Sequence, residues 1–289
     1  MKWFDYAAPA SLAEALQLRA AHPQALLLAG GTDLLVQMKN GRRQPDVVID
    51  IKKVPELNAL TMDAAGALTL GAAVACYRVY QDAAVRKHFP ALAETAEIIG
   101  GIQIQGRASI GGNLCNAAPS ADSVPLLIAL GATCRIAGPA GERTLAVEDF
   151  CVAPGRNALA AGEMLVSLHI PAPPAHSGAH YLRFIPRNEM DIAVVGVGAQ
   201  VVLSNGNFQS ARIALASVAP TPLFVRAAGE ALAGKAVNEA SIQAAAEAAS
   251  AAAVPITDMR GTAEYRRHLC GVLTRRALEA AIRQAKGSH

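Results

Sequence analysis

The sequence predicts an α+β protein of two domains, and three observations predict it. The chain has 289 residues, more than the roughly 100–200 usual for one domain. Short apolar runs alternate with helical patterns from the start to about residue 135, which points to an α/β domain there. A proline-rich, small-residue stretch, PAPPAHSGAH (Pro171–His180), then precedes a second half in which strands come first and helices last. Such a stretch reads as a linker, which puts the domains at residues 1–175 and 176–289.

The elements follow in order. SLAEALQLRAAH (Ser11–His22) reads as a helix, with Ser11 at the N-cap and Glu14 three residues on, the capping-box pattern. QALLLAGGTDLLVQM runs from a short apolar strand through a Gly-Gly turn into a helical start, and DVVIDI (Asp46–Ile51) is a further buried strand. ALTLGAAVACYRVYQD is a strand leading into a helix. TCRIAGPAGERTLAVEDF is a hairpin turning at Gly138-Pro139-Ala140-Gly141, and EMLVSLHIP is another strand. DIAVVGVGAQVVLS and SARIALASVA are strands joined by NGN at 205–207, a strong hairpin signal. Two helical patterns close the chain, alanine-rich NEASIQAAAEAASAAA and amphipathic TAEYRRHLCGVLTRRALEAAIRQ. No fixed-period repeat is visible. The arginine pairs Arg266-Arg267 and Arg275-Arg276 read as solvated helix faces.

Composition removes several classes of function. With 52% hydrophobic and 17% charged residues the chain can build a sizeable core. A formal charge of +3 and 4% aromatic residues argue against nucleic-acid binding. The five cysteines are an odd number with no CxxC pair, which argues against a disulfide framework, a zinc site and a local iron–sulfur cluster. Free thiols fit the cytoplasm. No segment has the length of a membrane span and the N-terminus lacks a signal-peptide core. The final GSH is set aside as the start of an expression tag.

Two segments carry the chemistry. LLLAGGTDLL (Leu26–Leu35) and ASIGGNLCNA (Ala108–Ala117) each set a Gly-Gly pair between apolar segments. Glycine permits positive φ and close approach of a ligand to the main chain. Successive N–H groups in such a turn form a nest for an anion, and a helix start adds further donors. Thr32, Ser109 and Asn113 add polar side chains. Two such loops can clamp a dinucleotide's phosphates from opposite sides. One loop alone is as well explained as a tight turn. GVGAQV (Gly196–Val201) starts like a dinucleotide-binding fingerprint, but it has Val201 in place of the third glycine and lies within a strand pattern. Gly196 and Gly198 therefore read as strand glycines. Walker A, HExxH and GxSxG sequences are absent. Asp122 reads either as a helix N-cap or as a ligand contact, and Cys115 as a packed residue rather than a redox thiol.

AGGTDLL and ASIGGNLCNAAPSAD together resemble the FAD-binding subunits of the molybdenum hydroxylases, the group of bacterial carbon monoxide dehydrogenase and xanthine dehydrogenase. FDYAAPASLAEAL, EMLVSLHIP, YLRFIPRNEMDIAVVGVGA, ASVAPTPLFVRAAGEAL and RGTAEYRRHLCGVLTRRAL extend the resemblance in order along nearly the whole chain. It implies a two-subdomain FAD-binding domain of the p-cresol methylhydroxylase and vanillyl-alcohol oxidase type (subdomains about 1–57 and 58–175), then a smaller C-terminal α+β domain of carbon monoxide dehydrogenase flavoprotein type. It implies pyrophosphate cradles at Leu28, Ala29, Gly30, Gly31, Thr32, Asp33 and Leu34, and at Ser109, Ile110, Gly111, Gly112 and Asn113. It places Asp122 near the FAD ribose, Leu165 at the flavin's pyrimidine edge and Ile104 near the isoalloxazine. Arg183 stands where relatives carry lysine near the flavin, and Gln105 where they commonly carry arginine. Arginine keeps the charge but presents a planar fork. The cysteine-rich insertion that holds an extra cluster in some relatives is missing from the sequence.

By the resemblance, the chain is the FAD-binding electron-transfer subunit of a cytoplasmic heterotrimer. A large partner subunit carries the molybdenum cofactor and oxidises the substrate. A small partner subunit passes electrons through [2Fe–2S] clusters to FAD, and the heterotrimers pair as a dimer. No residue of this chain is then required as acid or base on the substrate. Two alternatives stay open: a stand-alone flavin oxidase or dehydrogenase, and a scaffold subunit whose flavin site is vestigial.

Overall fold

The computed structural model describes residues 1–187 and 190–287; Asn188, Glu189 and the expected tag residues Ser288 and His289 lie outside the described residues. The chain opens with β1 (Asp5–Ala7), α1 (Leu12–Ala21), β2 (Leu26–Leu28), α2 (Leu34–Lys39) and β3 (Val47–Asp50). The three strands form a parallel sheet in the order β1-β3-β2. The central strand's apolar run Val47-Val48-Ile49 is buried, as expected of a strand covered on both faces. Ser11 caps α1, its Oγ accepting from the Glu14 N–H at 3.2 Å. Glu14 reaches back to the N–H of Ala10, one residue short of the expected box.

Next come β4 (Leu60–Met62), β5 (Leu68–Gly71), α3 (Cys76–Gln81), α4 (Ala83–His88), α5 (Pro90–Glu97), α6 (Ile102–Gln105), α7 (Ile110–Asn116) and α8 (Ser123–Ala129). They are followed by β6 (Thr133–Gly138), β7 (Gly141–Ala146), β8 (Cys151–Ala153), β9 (Arg156–Asn157) and β10 (Met164–Ile170). Strands β4-β5-β10-β6-β7 make a five-stranded antiparallel sheet. The alternation expected up to residue 135 is thus parallel only in its first three strands. Strand β10 arrives from far along the chain and inserts between β5 and β6, a long-range pairing that no local pattern encodes. The helices α3 to α8 cover this sheet, with Phe150, Leu92, Leu114, Leu126 and Leu127 fully buried in the largest core.

The second half holds β11 (Ser177–Phe184), β12 (Val195–Ser204), β13 (Asn207–Ala216), β14 (Leu223–Phe224), α9 (Arg226–Leu232), α10 (Glu239–Ala252) and α11 (Ala263–Ala285). The strands form one antiparallel sheet in sequence order. The β12–β13 turn has Asn205 at φ 51° and Gly206 at φ 78°, the left-handed pair that a two-residue hairpin demands. The expected linker is shorter than its composition suggests, because Ser177 already pairs with Val202. Arg266 corrects the reading of a solvated helix face. It is buried, and its guanidinium donates to the carbonyls of Val194 (2.7 Å) and Ser217 (3.2 Å) and to Asp258 (2.6 Å).

Candidate functional site

A cleft of about 820 Å³ opens between the two glycine loops. The first loop leaves the end of β2 and turns into α2 through Gly31, whose φ of 78° favours glycine. Four of its carbonyls are occupied: those of Gly31 and Asp33 accept from Leu35 and Gln37 in the first turn of α2, and those of Ala29 and Gly30 face the Arg107 guanidinium at 3.3 and 3.5 Å. Its amides are free. Among the described residues, none of the N–H groups of Gly30, Gly31, Thr32, Asp33 and Leu34 donates within the protein. Carbonyls withdrawn and amides left open make an anion-binding nest.

The second loop is held by Ser109, which caps α7 by accepting from the Gly112 N–H at 3.1 Å. The loops touch directly. A Cβ on Gly30 would lie 2.5 Å from the Arg107 carbonyl, and one on Gly111 would lie 2.5 Å from the Ala72 backbone. A Cβ on Gly112 would meet only Ser109 Oγ at 2.9 Å and, across the cleft, the Ala29 methyl at 4.0 Å. Side-chain amides tie the two helices together, Gln37 Nε2 donating to Asn116 Oδ1 at 3.0 Å. Asn157 Nδ2 donates to the Cys115 carbonyl at 2.8 Å and fixes α7 against β9.

Charge in the cleft favours an anion. Arg19, Arg42, Arg43 and Arg156 line it, against the carboxylates of Asp33 and Glu163. Glu163 is matched by Arg143 at 2.7 Å, which holds its carboxyl below the usual range. Burial pushes the Asp33 carboxyl up and so makes its charge costlier. Ala72, Ile99 and Leu165 give the wall an apolar part. Leu165 sits beside a bulge in β10, where the register with β6 shifts. Burial and the neighbouring Cys151 push the Cys115 thiol up to about 12, and the residue packs rather than reacts.

Of the sequence-derived candidates, Ala29 through Leu34, Ser109, Gly111, Gly112, Asn113 and Leu165 line this one cleft. Leu28 and Ile110 are buried and anchor the two loops in the cores beneath them. Ile104 packs on the main core from α6. Asp122 and Arg183 are not among the residues that line the cleft and are bonded to each other, Nη1 to Oδ2 at 2.6 Å, with Tyr181 Oη donating to Asp122 Oδ1 at 2.8 Å. Asp122 precedes α8 but makes no capping bond, which corrects the N-cap reading: its carboxylate turns to β11 instead. Gln105 is buried and donates to the Glu97 carbonyl. Arg107, Gln37, Asn116 and Tyr181 were not singled out in the sequence. The one local signal was for Arg107, a cation two residues ahead of the Ser109 cap.

The loops, charge and volume of the cleft suit a ligand with a diphosphate. Comparison with known proteins agrees. Residues 2–173 match the model of the FAD binding domain in molybdopterin dehydrogenase, and residues 180–281 match the CO dehydrogenase flavoprotein C-terminal domain. A putative xanthine dehydrogenase FAD-binding subunit of Escherichia coli is 34% identical over 288 residues, covering 98% of this chain and 99% of the relative. The solved carbon monoxide dehydrogenase from Hydrogenophaga pseudoflava superposes with a TM-score of 0.93 at 36% identity, covering 96% of each chain. Quinoline 2-oxidoreductase from Pseudomonas putida superposes with a TM-score of 0.90 at 32% identity, covering 100% of this chain and 99% of the other.

Proposed function

The chain belongs to the FAD-binding subunit family of the molybdopterin dehydrogenases, and from that premise we propose that it is the electron-transfer flavoprotein subunit of a molybdenum hydroxylase. The observation that carries the reading is the pair of glycine loops facing one cleft, one of them with five open amides. FAD supplies redox chemistry in single or paired electrons, which couples one-electron clusters to an external acceptor.

This chain's residues bind and orient. The amides of Gly30 to Leu34 take the diphosphate from one side, and the cleft arginines lower the cost of its charge. Gly112 leaves the second loop bare for close approach, with Asn113 beside it. Leu165, with Ala72 and Ile99, keeps water from the apolar end. Leu28, Ile110, Ile104, Asp122 and Arg183 are assigned to support of the site rather than to its wall. Because Arg183 is neutralised by Asp122, it brings little net charge to the cofactor.

The domains are taken as residues 1–175, carrying the cleft, and 176–289, completing the subunit. The partners are a large molybdenum-cofactor subunit and a small [2Fe–2S] subunit, in a dimer of heterotrimers. The cytoplasm is the compartment that five free cysteines suit; among the described residues, no helix is long and apolar enough to cross a membrane. Affinity purification of the chain at native expression tests the reading. Two co-purifying chains, molybdenum, iron and a flavin spectrum are expected. A chain that turns over a small substrate without partners would point to a stand-alone oxidase instead.

A further inference from the structure

The near-fingerprint GVGAQV has no role in the cleft, yet its two glycines have a structural reason. Gly196 and Gly198 lie on β12, in register with Arg183 and Tyr181 of β11. A Cβ on Gly196 would come 2.4 Å from Tyr181 Oη, so the glycine opens the notch that the tyrosine fills. A Cβ on Gly198 would come 2.5 Å from the Pro125 carbonyl, so this glycine lets the backbone of α8 lie directly on the sheet. Both clearances serve one helix. Tyr181 and Arg183, two apart and on one face of β11, grip Asp122 just ahead of it at 2.8 and 2.6 Å. Arg212 of β13 holds its other end, Nε donating to the Ile128 carbonyl at 3.0 Å. The Ser217 N–H donates to the Pro119 carbonyl at 2.8 Å.

From α8 the path to the cleft is one residue long. Ser123 follows Asp122, and its Oγ donates to Asn113 Oδ1 at 2.7 Å. Its N–H faces the same oxygen at 3.4 Å. Because a backbone N–H only donates, the side of the Asn113 amide facing Ser123 is the oxygen. The Nδ2 donor is then left without a protein partner among the described residues, on a side chain that lines the cleft.

We infer that Tyr181 is a positioning residue for the flavin nucleotide: with Arg183 it holds Asp122, and through Asp122 and Ser123 it orients the Asn113 amide, so that the C-terminal sheet bears on the cleft. This rests on the reading of the cleft as an FAD site. It gives the second domain a task at the cofactor, with Gly196 and Gly198 as the space that the task requires.

The test is titration of the purified chain with FAD, followed by flavin fluorescence and by visible circular dichroism of the bound cofactor. Tyr181→Phe keeps the ring in its notch and removes only the hydroxyl. Ser123→Ala cuts the path without touching the sheet. Each is expected to weaken FAD binding about three- to tenfold, the size of one lost hydrogen bond, and to change the dichroism of bound FAD. Asn113→Ala should weaken binding at least as much, and adding Tyr181→Phe to it should cost nothing further, since coupled residues are not additive. Arg183→Met should weaken binding and Arg183→Lys should recover part of the loss. Unchanged affinity and dichroism in Ser123→Ala, or additive losses in the double variant, overturn the inference even if Tyr181→Phe folds poorly. Failure of the unsubstituted chain to bind FAD overturns the cleft reading and this inference together.

Discussion

The four glycines of the two loops do different things. Gly30 and Gly111 are required by the protein's own packing, since a Cβ on either would enter neighbouring backbone at 2.5 Å. Gly31 is required by its φ of 78°. A Cβ on Gly112 would meet no backbone, only the end of the Ser109 side chain at 2.9 Å, and would otherwise enter the space between the loops. Gly30→Val should therefore lower the melting temperature and FAD affinity together, whereas Gly112→Val should abolish FAD binding with little change in melting. Thermal denaturation beside FAD titration checks the contrast. Arg266→Met should destabilise the chain by about 3 kcal/mol, because it leaves Asp258 and two carbonyls without their donor; denaturant unfolding measures it. The glycine loops were legible in the sequence because close packing, a positive φ and an open cleft each demand a residue without a side chain. Arg107 and Tyr181 were not, because an arginine that turns to carbonyls 77 and 78 residues away looks like any other arginine until the fold brings them together.

At the scale of elements, local chemistry was readable and long-range pairing was not. The Ser11 cap, the NGN hairpin and the two C-terminal helices follow from side-chain capping, left-handed turn residues and helical periodicity. The insertion of β10 between β5 and β6 depends on partners far away in sequence, whereas the short helices α4 and α5 start on local signals, the Asp82 cap and Pro90, that helical periodicity passes over. Just past the end of β3, Lys52 is half-buried, with Nζ donating to the Ala73 carbonyl at 2.6 Å. Burial, followed by the nearby Arg107 charge, lowers its pKa from 10.5 to about 8. The folded state then gives up this proton before the unfolded state does. Stability accordingly carries a penalty below about pH 8 and rises as pH climbs from about 8 toward 10.5. Chemical denaturation of Lys52→Met across that range should show this rise removed; an unaltered rise would assign it to other groups.

At the scale of the whole molecule, two loops in the first half line one cleft, and a strand of the second half bonds Asp122, next to Ser123, whose hydroxyl meets Asn113. The family resemblance was legible because its motifs kept their order along the chain, and it gave the cofactor correctly. What it could not give was the division of labour among the residues. It implies that Asp122 and Arg183 lie at the cofactor, and the fold pairs the two with each other. The oxidised substrate leaves no mark on this chain: similar chains belong to proteins named for xanthine, carbon monoxide and quinoline, and their common feature is the flavin-binding architecture.

The proposed FAD site stands on two glycine loops that face one cleft. Equilibrium titration of the flavin-free chain with FAD, run in parallel on Gly112→Val, tests it most directly. Saturation at one FAD per unsubstituted chain is expected, with no binding by a variant that remains folded. Equal FAD affinity in the two proteins would contradict it.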